Sequence, residues 1–228
     1  MGLDTVPRAV TSMGIDVSVA RGLDVVVLDR SLRVTFGPAT LHRAELADVI
    51  GRTEPDVIAI DSPPAWGSSG PSRPLERQLQ ALGISIFPTP AAEFARSLHG
   101  WMKIGFDVFK VAADLGYPLY AGGAGSGRRA LEVFPHATAV VLRGSLAQRG
   151  LAKSQSRRAV LEVAGIDCSE LHTTDHLDAA LAALTGLKFL AGDFSIVGTV
   201  GEAVLVLPAP VLPTTRYVRD PSVAISRS

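Results

Sequence analysis

Residues 56–61 contain an unbroken apolar run, Val57-Ile58-Ala59-Ile60, with Pro55 before it and Ser62-Pro63-Pro64 after it. A run this short, rich in β-branched residues and cut off at both ends, predicts a strand buried on both faces. Such strands lie centrally in sheets that helices cover on both sides, so the chain is expected to be α/β. Residues 12–19, 24–29 and 32–36 read as three earlier strands, and the short joins at Arg21-Gly22 and Arg30-Ser31 suit antiparallel hairpins. Leu41, Leu46, Val49 and Ile50 recur at helical spacing over residues 40–52.

Beyond the central strand, residues 62–74 form a turn-rich loop of a length that usually serves function. Helices are predicted over 75–82, 91–98 and 103–115, then a Gly-rich loop over 120–128 and a strand over 129–134. Pro135 opens a helix to residue 143, and Ala- and Leu-rich helices follow over 152–164 and 175–191. Residues 195–200 and 202–207 pair around Gly201 as a hairpin. The expected division is an N-terminal extension (1–11), one domain (12–207) and a weakly ordered Pro-rich tail (208–228).

Composition excludes several function classes. With 47% hydrophobic residues the chain is too apolar for disorder, and 22 basic against 22 acidic residues exclude a polycationic nucleic-acid coat. A single cysteine, Cys168, excludes an internal disulfide framework and multi-cysteine zinc. No apolar run reaches the ~20 residues of a membrane span, and residues 1–10 lack the apolar core of a signal peptide. The expectation is a soluble, cytoplasmic protein with no membrane partner. The zero net charge hides a basic block: Arg128, Arg129, Arg143, Arg149, Lys153, Arg157 and Arg158 face only Glu132 over residues 128–158.

Acidic residues stand at telling places. Asp16 lies in the first strand among Met13, Ile15 and Val17, where an acid needs a partner. Asp61 ends the central strand, Glu132 sits in the strand over 129–134, and Asp175 and Asp178 open an Ala-rich helix. Carboxylates brought together repel and raise one another's pKa, and a divalent cation reverses that cost. Mg²⁺ prefers such hard oxygen ligands, and two ions about 4 Å apart suit phosphodiester displacement. Each acid also has a plain structural role: Asp61 can initiate a turn, Asp175 can cap its helix, and Glu132 can face solvent.

Taken together, the segments Met13-Gly14-Ile15-Asp16, Val57 through Pro64, Arg73 through Arg77, Gly83-Ile84 to Pro88-Thr89-Pro90, Glu132 through Ala137, Lys153 with Arg157, and Asp175 through Ala179 resemble the DUF429 family, described as predicted RNase H-like nucleases. The resemblance spans about residues 12–207. It implies a single RNase H-like domain. That domain would have a mixed five-strand sheet, an antiparallel meander followed by parallel strands, with the C-terminal hairpin as an extra. It also implies that Asp16 bridges two ions, Mg²⁺ or Mn²⁺, that Asp61 and Asp178 each hold one, and that Glu132 is either a further ligand or an acid supporting the ligands from behind, with Asp175 close to the set. Nucleic acid would be the substrate. Lys153 and Arg157, four apart on one helix face, are candidates for phosphate contacts, as are Arg73, Arg77 and His136, with Trp66 able to stack on a base. Two alternatives remain: a binding or scaffold protein without chemistry, and an actin-like ATPase. Against the ATPase stand the absence of a glycine in Asp16-Val17-Ser18 and a length short for two lobes.

Overall fold

β1 (Thr11–Ser18), β2 (Gly22–Asp29) and β3 (Val34–Leu41) form the antiparallel meander that the two short joins require. The structure is a computed structural model describing residues 8–18, 20–123, 127–201 and 204–219. β4 (Val57–Asp61) lies parallel to β1 on its free side, and Val57, Ile58, Ala59 and Ile60 are wholly buried. β5 (Arg129–Glu132) runs parallel to β4. β6 (Ser195–Gly198) and β7 (Val204–Leu207) pair antiparallel, and β7 docks parallel to β5. Among the described residues this gives one seven-stranded sheet in the order β3-β2-β1-β4-β5-β7-β6.

Seven strands replace the expected five with a separate hairpin. The hairpin is a local signal, legible around Gly201. Its docking on β5 is a pairing between residues more than seventy positions apart, Glu132 with Leu205, which no local pattern encodes. Other boundaries also move. β3 continues to Leu41, so the helix expected from residue 40 begins as a single 3-10 turn, Arg43–Glu45, before α1 (Leu46–Thr53). The helix expected over 91–98 is two separate 3-10 turns, Ala92–Phe94 and Ser97–His99. The segment 208–219 is not loosely held: the Tyr217 ring is buried, its N–H donates to Leu82 O at 2.9 Å, and Leu146 N–H donates to Val218 O at 3.0 Å. Residues 1–7 and 220–228 of the expected extension and tail lie outside the described residues.

The period of two decides which side chains see which layer. Met13, Ile15, Val25, Val27, Ile58 and Ile60 pack against α1 and α3 (Met102–Asp114) on one face. Val26 and Leu28 pack on the other, against α5 (Lys153–Val163) and α6 (Thr174–Leu190), with α4 (Pro135–Arg143) beside them. α2 (Pro74–Ala81) closes the far end, its Leu75 and Leu79 against Leu205 and Leu207. α6 lies so close to β1 that a Cβ on Gly14 would stand 1.9 Å from Ala179 O and 2.4 Å from Ala183 N. Only glycine permits that approach, and the approach delivers the start of α6 to the end of β1.

Candidate active site

Asp16 pairs with Asp24 across β1–β2 and with Asp61 across β1–β4. Paired positions share a face, so three carboxylates on three adjacent strands point toward α6, at one end of the sheet. α6 begins there. Thr173 is its N-cap, accepting from His176 N–H at 3.0 Å, so Asp175 lies in the first turn and is not the cap. Asp178, three residues on, shares the face of Asp175. One oxygen each of Asp16, Asp24 and Asp175 lies within 4.8 Å of the others. Asp16 is also hydrogen-bonded to Asp61. Asp16 therefore stands between two groups, Asp61 with Asp178 and Asp24 with Asp175.

The cluster is held together by protons and internal cations. Burial, then repulsion from Asp178 and Asp175, pushes the Asp16 carboxyl up to about 7, against the opposing pull of the Asp61 hydrogen bond and of Lys153. Asp61 is raised well above the carboxylate range, by burial first and then by Asp16 and Asp178. Burial and the two neighbouring carboxylates thus favour the protonated form of Asp61 beside Asp16. Lys153 Nζ lies 2.6 Å from Asp178 Oδ2, and Arg157 Nε donates to Asp178 Oδ1 at 2.7 Å. Arg21 pairs with Asp175, and Thr40 Oγ1 donates to Asp24 at 2.6 Å. His176 Nε2 is 3.5 Å from Asp24, while its buried Nδ1 has no hydrogen-bond partner among the described residues. An all-oxygen donor set whose central pair stays together by sharing a proton fits a hard divalent cation, which would supply the missing positive charge.

A cleft of about 410 Å³ opens beside the cluster, lined by Asp61, Phe134, His136, Lys153, Arg157 and Asp178. Its two cations differ in freedom: the Lys153 side chain is 59% exposed and the Arg157 side chain 4%. Burial, then Arg157, lowers His136 to about 4, so its imidazole is neutral near pH 7.

Three expected site residues stand apart from the aspartate cluster, although Glu132 and Arg73 share a small crevice with Asp61. Glu132 pairs in register with Ile60, not with Asp61, so its side chain emerges on the opposite face of the sheet from the aspartates. There it accepts two bonds from the Arg73 fork, at 2.9 and 2.6 Å, which occupies both oxygens instead of leaving them to a metal. Arg73 is itself buried and also donates to Glu76 at 2.9 Å, so it is an internal clamp and not an exposed phosphate contact. Arg77 is exposed on α2, donates to Ser72 O at 3.2 Å, and lines neither cleft that Asp61 borders. The residue that sequence reasoning missed is Asp24. Its signal was the hairpin itself, since a tight turn centred on residue 20 sets position 24 opposite position 16.

A meander followed by parallel strands, with helices on both faces and acids gathered on β1 and β4, is the RNase H-like arrangement that the resemblance implies. The family model described as "Protein of unknown function (DUF429)" matches residues 14–202, and the chain belongs to that family. Among solved structures, Thermus thermophilus RuvC is similar at 16% identity, with 80% of this chain and 96% of that chain covered and a TM-score of 0.44. No curated protein matches the chain. Among the described residues no helix is long and apolar enough to cross a membrane.

Proposed function

We propose that this protein is a divalent-metal-dependent nuclease that hydrolyses phosphodiester bonds of nucleic acid. The observation that carries the reading is the gathering of Asp16, Asp24, Asp61, Asp175 and Asp178 at one sheet end. Asp16, Asp61 and Asp178 would hold one Mg²⁺ or Mn²⁺, and Asp16, Asp24 and Asp175 a second. When bound, such ions supply Lewis acidity at a phosphoryl oxygen and an activated water. The chain's own groups do the rest. Arg157, buried against Asp178, fixes that carboxylate, while Lys153 has a flexible, mostly exposed stem that can leave Asp178 for a phosphate oxygen. Neutral His136 contributes a hydrogen bond to the cleft without adding charge.

The test is cleavage of labelled single-stranded, duplex and branched DNA and RNA with Mg²⁺, Mn²⁺ or chelator, comparing wild type with Asp16→Asn. Metal-dependent cleavage that Asp16→Asn abolishes is the expected result. Cleavage retained in that variant refutes the site. One observation favours a scaffold without chemistry: Asp178 is already neutralised by Lys153 and Arg157. That reading expects no cleavage and no rise in melting temperature at millimolar Mn²⁺.

A further inference from the structure

One exposed aromatic side chain, Phe87, stands beside the acids, at the start of a segment that exposes two more apolar side chains. Phe87, Phe94 and Leu98 are 47%, 50% and 53% exposed and fall within one irregular segment. The Phe87 ring lies 5.5 Å from His99 and 6.2 Å from Trp101, forming an aromatic wall. The wall is braced from below. Thr89 N–H donates to Glu76 Oε1 at 2.9 Å, Gly67 N–H to Pro90 O at 2.9 Å and Ala91 N–H to Gly70 O at 2.8 Å. Glu76 belongs to the Arg73–Glu132 clamp, so the buried salt-bridge network ties the segment to the end of β5. Of the three rings His99 is buried and Trp101 half-buried, so the wall is a supported surface that presents one open aromatic face, that of Phe87.

Location says which ligand. Phe87 and Trp101 line a crevice of about 60 Å³ together with Asp61 and Phe134. Asp61 and Phe134 also border the cationic cleft of Lys153 and Arg157, so Asp61 lies between an aromatic wall and a basic one. Farther out, Trp66, Arg96 and Lys103 line another cleft of about 360 Å³. The charged residues lining that outer cleft, Arg96 and Lys103, are both basic and exposed. Aromatic faces interleaved with cations, continuous with a phosphoryl-transfer site, suit a nucleic-acid strand.

Resting on the nuclease reading, we propose that Phe87 stacks on an unpaired nucleobase beside the scissile phosphate, so that the substrate is a strand with unpaired bases and not continuous duplex. The crevice is smaller than a base, so the base lies across the exposed face of Phe87 at its mouth. In a duplex both faces of each base are already stacked, and the wall would have nothing to cover.

Fluorescence anisotropy in Ca²⁺, with labelled oligothymidylate and its duplex with oligoadenylate, tests this. Wild type is expected to bind the single strand at least tenfold more tightly. Phe87→Ala should lose about tenfold of that affinity, toward the lower end of the range for one stacked base, while Phe87→Trp retains it. Because Phe87 is about half exposed, an unchanged melting temperature in Phe87→Ala separates lost stacking from lost folding. Equal binding of both probes, or unchanged single-strand affinity in Phe87→Ala, overturns the proposal. The two readings fail separately. Metal-dependent duplex cleavage at equal rates in wild type and Phe87→Ala would leave a nuclease without the stacking wall. Single-strand binding that depends on Phe87, with no cleavage of any substrate, would leave the stacking wall without a nuclease.

Discussion

Replacing Asp16 by Asn should stabilise the metal-free protein above pH 7, although the residue sits at the centre of the candidate site. The folded protein holds the Asp16 carboxyl at about 7 against an ordinary 3.8. The folded state thus binds a proton that the unfolded state has released, and stability falls as pH rises from about 4 through 7, then levels off. At 1.36 kcal/mol per unit the cost is at most ~4 kcal/mol, shared with Asp61 because the two carboxyls titrate as a coupled pair. Asn keeps the shape and can still accept the Asp61 hydroxyl, but never ionises. For a chain of this size, 1 kcal/mol shifts melting by about 2–4 °C, so the ceiling is a gain of roughly 8–16 °C at pH 8. His136 acts in the opposite sense: lowered to about 4, it costs the fold stability as pH falls from 6.5 toward 4. The variant-minus-wild-type difference removes that background. Thermal melts in chelator at half-unit steps from pH 4.5 to 8.5 give the difference directly. It should be near zero at the acid end, grow through pH 7 and then flatten. A variant less stable than wild type at pH 8 would refute the argument that these acids repel.

Mn²⁺ should raise the wild-type melting temperature, by about 2.7 kcal/mol of stability at a hundredfold excess over its dissociation constant, and leave Asp16→Asn unmoved; equal shifts in both would locate the ion elsewhere. Arg73→Met should cost about 3–5 kcal/mol in urea denaturation, because it strands the buried Glu132 and Glu76 carboxylates, and Arg73→Lys should not rescue it because one ammonium cannot bridge both. A loss below 1 kcal/mol would mean that Glu132 is neutral in the folded state. Gly14→Ala should cost about 3 kcal/mol, and it should weaken Mn²⁺ stabilisation as well, since the new methyl collides with the α6 backbone that carries Asp175 and Asp178. Intact metal response in a destabilised Gly14→Ala would show that the acids tolerate displacement of the helix.

What the chain discloses about itself follows the range of each interaction. The run from Val57 to Ile60 is local, and its burial on both faces was legible from composition alone. The meander follows from short joins, whereas the gathering of Asp16 and Asp61 rests on the parallel pairing of β1 with β4, which only the family resemblance implies. The pairing of Glu132 with Arg73 is not legible in the sequence, for two physical reasons. A one-residue difference in parallel register moves a side chain to the other face, and register across a long connection leaves no mark in either strand. The second reason is pairing: an Arg read as exposed in a polar loop is indistinguishable in sequence from one that folds inward onto a distant Glu.

That internal pairing also changes the meaning of the basic block. Arg143 donates to Ser156 O and Oγ, Arg158 to the Cys168 and Leu171 carbonyls, and Lys153 and Arg157 to Asp178. With Arg128 paired to Glu54 and Arg129 donating to the Arg128 carbonyl, six of its seven cations have partners within the fold, and the block is not an open phosphate-binding surface. On the nuclease reading this couples two binding events. A divalent ion taking Asp178 would replace the charge that Lys153 supplies and free that ammonium for substrate. A substrate phosphate drawing Lys153 away would in turn leave Asp178 more anionic and a better metal ligand. Linkage makes the effect reciprocal, so metal must tighten nucleic-acid binding by the same factor that nucleic acid tightens metal binding. Lys153→Ala should lower that factor toward one while leaving Arg157 to hold Asp178 in place. A coupling factor unchanged in Lys153→Ala, measured by metal titrations with and without oligonucleotide, would show that Lys153 is only the counter-ion it is in the metal-free protein.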